Sequence, residues 1–345
     1  MKKDLERLTE WAVHKIETEY RDDVSLLAAV EGCSVNGDGH GEAFDYFIPA
    51  TERGERLAQT FIIGGVGYDL YPRSWKRTMR TAELDDLATQ CLADAKILYA
   101  RSKEDEERFE ALRQRLFRNL EDPGFVYRKA LENLDSAMEL YRTMLFEERL
   151  YRLRSLAGHI CRFLAISAAC LNHTYRRDSH NSFLREVSQW KVLPEGFTAY
   201  CEAIELARTA GELRSLCYAL LASSRRFIAR FRPERGLAGT RDFHALADWY
   251  QELRTWWNRL SFFCTSGQAD MAFQEASQLQ AELDCVGEEF GLGEMPLMDC
   301  FDAGNLEPLN RRAAALEQRI LNTLKEHGVS VREYATLEAF LAAGR

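Results

Sequence analysis

Apolar and polar positions along this chain follow one rhythm up to about residue 72 and another beyond it. Between Lys3 and Tyr20 charges alternate with Leu5, Leu8, Trp11, Ala12 and Ile16. That spacing predicts a helix with one apolar stripe, laid on a sheet. Val24 to Val30 is a short apolar run without internal charge, as expected for a buried strand. A loop from Gly32 to Gly41 with four glycines follows, and several of its residues can take positive φ. Phe44 to Ile48 reads as a second strand, stopped by Pro49. Thr51 reads as the N-cap of a short helical turn reaching Leu57. Gln59–Ile63 and Val66–Tyr71 flank Gly64-Gly65, which suits a two-residue type I′ hairpin turn. Alternation in the return strand sets Val66, Tyr68 and Leu70 on one face and Gly67, Asp69 and Tyr71 on the other.

Past Pro72 the period of two disappears and apolar residues recur at three and four. Helices are predicted from Trp75 to about Ser102 and from Lys103 to Leu120, stopped by Asp122-Pro123-Gly124. The segment from Phe125 to Thr174 is too long for one ordinary helix and predicts two, meeting between Glu147 and Gly158. Further helices are predicted over Ser182–Trp190, Glu195–Phe231, Phe243–Thr265, Met271–Phe290, Pro308–Glu326 and Val331–Ala342. The fold class is therefore α+β: strands confined to about residues 24–71 in one small mixed sheet, then a mostly helical region. The domains expected are 1–100, carrying the sheet, and 101–345, a helical bundle with C-terminal helices.

The composition, 46% hydrophobic and 29% charged over 345 residues, is that of an ordinary soluble protein. A net charge of −9 argues against a general nucleic-acid binder, whose affinity rests on Lys and Arg neutralising phosphates. The N-terminus lacks the apolar run of a signal peptide, and no stretch approaches a membrane span. Nine scattered cysteines without a Cys-x-x-Cys pair read as free thiols, and the expected location is cytoplasmic.

Candidate chemistry is concentrated between Val30 and Trp75. A Gly-rich turn offers backbone N–H groups to anions, and carboxylates offer oxygen to hard cations. Gly32 with Cys33 and Ser34, then Ala43-Phe44-Asp45, then Asp69 in Gly-Tyr-Asp-Leu-Tyr-Pro follow the order of motifs in the polymerase-β-type nucleotidyltransferases. The pattern resembles especially the bacterial enzymes that adenylylate aminoglycoside or lincosamide antibiotics, and the resemblance covers roughly the first 100 residues. It departs at two places. Ser34 stands one position late, and Ala43 occupies the place of the first of two paired aspartates. Glu42 is adjacent, but a one-residue shift puts it on the opposite face unless the strand begins with a bulge.

The resemblance implies a nucleotidyltransferase domain and transfer of a nucleoside monophosphate from Mg²⁺-NTP, with ATP the expected nucleotide, to a hydroxyl of a small-molecule acceptor. Asp45 and Asp69 would hold Mg²⁺ and serve catalysis, standing on neighbouring strands. Gly32 and Ser34 would contact phosphate, as could Arg73 and Lys76, which follow the Asp69 strand. Glu147 or Glu148 could activate the acceptor. The rival reading is a degenerate nucleotide-binding or regulatory, antitoxin-like protein of the same fold, and Ala43 favours it. Arg154 and His159 have the spacing of helical RNase modules. Five positions apart on a helix lie about 140° from each other, so one site could use both only if the helix breaks there.

Overall fold

Residues 2–30, 44–177, 183–233 and 241–343 are described in this computed structural model, the side chains of 2–5, 44, 45, 66 and 343 excepted. The chain divides into two compact units, Met1–Pro233 and Glu234–Arg345. The boundary expected near residue 100 lies inside the first of them.

The first unit begins with α1 (Lys2–Glu19), β1 (Val24–Val30), β2 (Phe44–Pro49), α2 (Glu52–Glu55), β3 (Gln59–Ile63) and β4 (Val66–Pro72). It continues with α3 (Trp75–Ala82), α4 (Gln90–Ala93) and β5 (Ala95–Ala100). The five strands form one mixed sheet in the order β3-β4-β2-β1-β5. β1 is antiparallel to β2 and β5, β3 is antiparallel to β4, and β2 and β4 run parallel. The fold is α+β, as the hydrophobic pattern indicates.

All seven residues of β1 are buried, because both faces of the sheet are covered. Leu26, Ala28 and Val30 pack with Tyr46, Ile48, Phe109 and Leu116 on one side. Val24 and Leu27 pack with Phe47, Leu70 and Ala12 and Ile16 of α1 on the other. Gly64 and Gly65 take φ of +57° and +82°, as a type I′ turn requires. Thr51 caps α2, its hydroxyl accepting from the Gly54 N–H. Gly54 lies against the Asp23 carbonyl, and a Cβ there would stand 2.0 Å from that oxygen.

β5 corrects the expected helix over 75–102 and extends the strands past residue 71. Its sequence, Ala-Lys-Ile-Leu-Tyr-Ala, is a short apolar run of the kind whose periodicity fits either element. The open edge of β1 decides, since its backbone groups need partners. Pairing with β5 supplies them from Leu26↔Ala100 to Val30↔Ala95.

Beyond the sheet lie α5 (Lys103–Glu121), α6 (Pro123–Leu145), α7 (Leu150–Leu171), α8 (Phe183–Val187), α9 (Phe197–Leu206) and α10 (Ala210–Ala229). Their common core includes Leu134, Leu153, Ile160, Leu164, Phe197, Leu213 and Leu220. The predicted helix over Glu195–Phe231 is two helices. Thr209 and Glu212 form a reciprocal capping box at the start of α10, a stronger local signal than the apolar spacing that continues through it.

The second unit holds α11 (Phe243–Thr265), α12 (Ala269–Glu289), a short 3₁₀ turn (Met298–Cys300), α13 (Glu307–Glu326) and α14 (Leu337–Ala343). The first two helices and α13 bury Leu246, Tyr250, Trp257, Leu279, Leu283, Leu316 and Ile320 in one core. α14 starts later than the expected Val331, where the Thr336 hydroxyl accepts from the Ala339 N–H at 3.2 Å. No helix among the described residues is long and apolar enough to cross a membrane.

Candidate functional site

Gly32, Ser34, Glu42 and Ala43 lie outside the described residues. The strands that carry the two candidate carboxylates are neighbours. β2 and β4 pair in parallel at Tyr46↔Tyr71 and Phe47↔Pro72. The register of β2 against β1 shifts between Ala28↔Tyr46 and Ala29↔Phe44, so β2 holds one extra residue there, Asp45. Such a bulge interrupts strict side-chain alternation.

Asp69 is exposed on β4 and its carboxylate accepts a hydrogen bond from the Thr60 hydroxyl at 3.3 Å. Leu70 enters the core beneath α1. Tyr71, on the face that Asp69 shares by alternation, packs 6.0 Å from the Tyr46 ring. Gly67 shares that face as well, and a Cβ placed on it would meet nothing within 4 Å. The surroundings of Asp69 are therefore open enough to admit a ligand.

Arg73 and Lys76 have different fates. Arg73 is fully buried. Its backbone N–H donates to the Phe47 carbonyl at 2.8 Å, its Nη2 donates to the Thr81 hydroxyl, and Asp86 lies 3.5 Å away. Burial would raise the Asp86 carboxyl, but hydrogen bonds from Arg77 and the Ala88 N–H, with the charge of Arg73, hold it below the ordinary carboxylate range. In this position Arg73 fastens α3 and the turn after it to the sheet, turned away from solvent.

Lys76 is exposed and lines an open cleft of about 510 Å³ between α3 and α5. Trp75, Met79 and Leu112 supply its apolar lining, while Arg108, Arg115 and Arg118 add further cations. Arg108 lies 4.3 Å over the Trp75 ring, and Arg115 is paired with Glu83. Sequence reasoning missed these arginines. Their signal is a seven-residue spacing from 108 to 115 and a three-residue step to 118, which repeats on one helix face.

Of the candidate bases, Glu147 is engaged in the turn between α6 and α7. Its carboxylate accepts from the side chain and backbone of Arg149 and from the Glu148 N–H, which holds its pKa down to about 2. A carboxylate so stabilised is a weak proton acceptor at neutral pH. Glu148 is exposed and lies 3.6 Å from Arg214. α7 runs unbroken through Arg154 and His159, so the break that would let one site use both is absent. Among the described residues no group of three or more His, Cys, Asp or Glu could hold a metal ion.

No protein-family model matches the chain, and no curated protein is similar to it. Among solved structures, a nucleotidyltransferase-like protein from Exiguobacterium sibiricum 255-15 aligns at 14% identity and a TM-score of 0.35. The alignment covers 75% of this chain and 91% of that one. At that TM-score no residue role passes from one protein to the other.

Proposed function

We propose that the chain transfers a nucleoside monophosphate from Mg²⁺-NTP to a hydroxyl of a small-molecule acceptor, releasing pyrophosphate. The observation that carries the reading is the parallel pairing of β2 with β4. It sets the strands of Asp45 and Asp69 side by side, with Asp69 open to solvent. Asp69, whose carboxylate accepts from the Thr60 hydroxyl, is the donor type that Mg²⁺ takes, and this supports the reading. Bound Mg²⁺ would neutralise triphosphate charge and lower the barrier to attack. Asp45 and Asp69 would hold it, and the loop of Gly32 and Ser34 would meet phosphate. The acceptor oxygen forms a bond to the α-phosphorus as the bond to pyrophosphate breaks, and its proton passes to a base. Glu148 suits that last task better than Glu147, whose carboxylate is already engaged.

Ala43 offers no oxygen. A bulge at Asp45 changes which neighbours share a face, and robust release by the native chain would show that Glu42 supplies the missing oxygen. The test is pyrophosphate release with pooled NTPs and a panel of aminoglycosides and lincosamides, beside calorimetric NTP titration. Turnover by the native chain is expected to be slow. Ala43→Asp is expected to raise it by at least about two orders of magnitude, near 3 kcal/mol of barrier, and Asp69→Asn to abolish it. Absence of NTP binding to both native and Ala43→Asp proteins would sink the nucleotide reading. A second reading, a binder without turnover, is favoured by Ala43 itself. It would prevail if NTP binds and Ala43→Asp adds no release.

A further inference from the structure

The second unit contains an open cleft of about 600 Å³, within the usual range of small-molecule sites. It lies where the start of α11, the end of α12 and the last turns of α13 come together. Two guanidinium groups set its chemistry. Arg319 on α13 donates to the Leu292 carbonyl and, at 3.4 Å, to the Glu294 carbonyl. Arg241, just before α11, lies on the bare Cα of Gly291, where a Cβ would stand 2.4 Å from its Nη2. Gly291 and Gly293 take φ of +66° and +72°, a left-handed backbone that side chains resist. The Gly-Leu-Gly loop thus admits both arginines to one short stretch of backbone.

Like charges gathered this way repel, yet among the described residues no Asp or Glu lines the cleft. Arg241 has no hydrogen-bond acceptor among the described residues. A second feature adds shape. The Phe243 and His327 rings stack at 3.6 Å and 9° on the cleft wall, and His327 is exposed. Paired guanidinium forks match phosphate oxygens, and a flat ring stacks on an aromatic face.

We propose that this cleft binds a small phosphate monoester carrying a flat ring, of the nucleoside monophosphate class. The phosphate sits between Arg241 and Arg319, and the ring lies against the Phe243–His327 stack. This site belongs to the second unit, whereas the Asp45 and Asp69 strands belong to the first, and it needs no Mg²⁺.

The test is calorimetric titration of the full chain in EDTA with AMP, adenosine and inorganic phosphate. EDTA silences the Mg²⁺-dependent reading, so the two fail separately. AMP is expected to bind, adenosine at least about tenfold more weakly, and inorganic phosphate to compete with AMP. Arg241 is exposed, so Arg241→Gln is expected to leave the melting temperature unchanged while weakening AMP roughly tenfold to a hundredfold. Gly291→Ala drives a methyl into the Arg241 guanidinium and strains a left-handed backbone, and is expected to weaken AMP as well, with some fall in melting temperature. No AMP binding in EDTA, adenosine binding as tight as AMP, or unchanged affinity in Arg241→Gln would each overturn the proposal.

Discussion

The two units treat charge in opposite ways. The first buries Asp23, Arg73, Asp105 and Lys129, whereas Glu275 is the one buried charged residue among those described in the second. Each buried charge of the first unit ties an element to its surroundings. Asp23 receives Thr51 and Arg53, Asp105 receives Arg101 and Ser102, and Lys129 reaches Asp85 and Glu132. In the second unit apolar stripes align the helices, and Glu275 has Arg259 at 2.8 Å. The lesson is that a small mixed sheet with many connections needs directional fastening, while three helices around one core do not. Non-directional apolar burial is enough for them.

The largest test of that contrast is Arg73. Arg73→Ala is expected to cost about 3–5 kcal/mol in denaturant unfolding, through cavity formation and loss of a buried charge partner. Arg73→Met should cost less, because Nε and Nη1 have no acceptor among the described residues, Met restores volume and Asp86 keeps Arg77. Glu275→Gln is expected to cost under about 2 kcal/mol. If it matched Arg73→Ala, the contrast would fail.

Next come the two close backbone approaches. Gly54→Ala sets a Cβ 2.0 Å from the Asp23 carbonyl oxygen, and Gly287→Ala sets one 2.8 Å from that of Gly293. Expected losses are about 3 and about 1 kcal/mol, read as midpoint shifts. Reversal of that order would show the second unit to be the more rigid.

Lys129 offers a smaller and pH-dependent effect. Burial pulls its pKa down, but hydrogen bonds to Asp85 and Glu132 outweigh this and raise it above the usual 10.5. A raised lysine contributes stability below its unfolded value, and that contribution is lost as pH rises through the folded one. Lys129→Met is therefore expected to cost about 2 kcal/mol at neutral pH. It should also flatten the alkaline fall of the melting temperature above pH 10.5. An unchanged alkaline limb would assign that fall to other groups.

Thiol labelling changes stability least. Cys285 in the second unit is exposed, while burial pushes Cys170 and Cys217 of the first up to about 12. Iodoacetamide is expected to modify Cys285 in the native protein and the other two only on unfolding. Native labelling of Cys217 would mean that the core of the first unit opens.

Most of this architecture is legible in the hydrophobic pattern, because period and composition report burial directly. The charge-free Val24–Val30 run, the Gly64-Gly65 turn and Thr51 as a cap all carry local signals. β5 does not, since its strand state comes from the neighbour it completes. The candidate site divides the same way. Asp69 stands out beside Gly67, but the burial of Arg73 depends on Thr81 and Asp86, and no motif of β4 announces them. The cleft of Arg241 and Arg319 joins residues 78 positions apart in the chain, a distance over which spacing carries no signal.

The sparse junction between β2 and β4 has a mechanical consequence. Among the described residues, β4 meets β2 only at Tyr71 and Pro72, at the base of the hairpin. Outward from there its ladder partner among the described residues is β3, so the hairpin extends as a cantilever with Asp69 two residues from the support. At about 3.3 Å per residue, a tilt of roughly 5° moves that carboxylate by about 0.6 Å. Metal–oxygen distances tolerate only about 0.2 Å. On the proposed reading, seating of Mg²⁺-NTP sets the spacing of the two strands by bending one joint, with no rearrangement of the sheet. Amide exchange is expected to be faster at 60–68 than at 24–30, and Mg²⁺-NTP to narrow that difference; equal rates without ligand would rule out the cantilever.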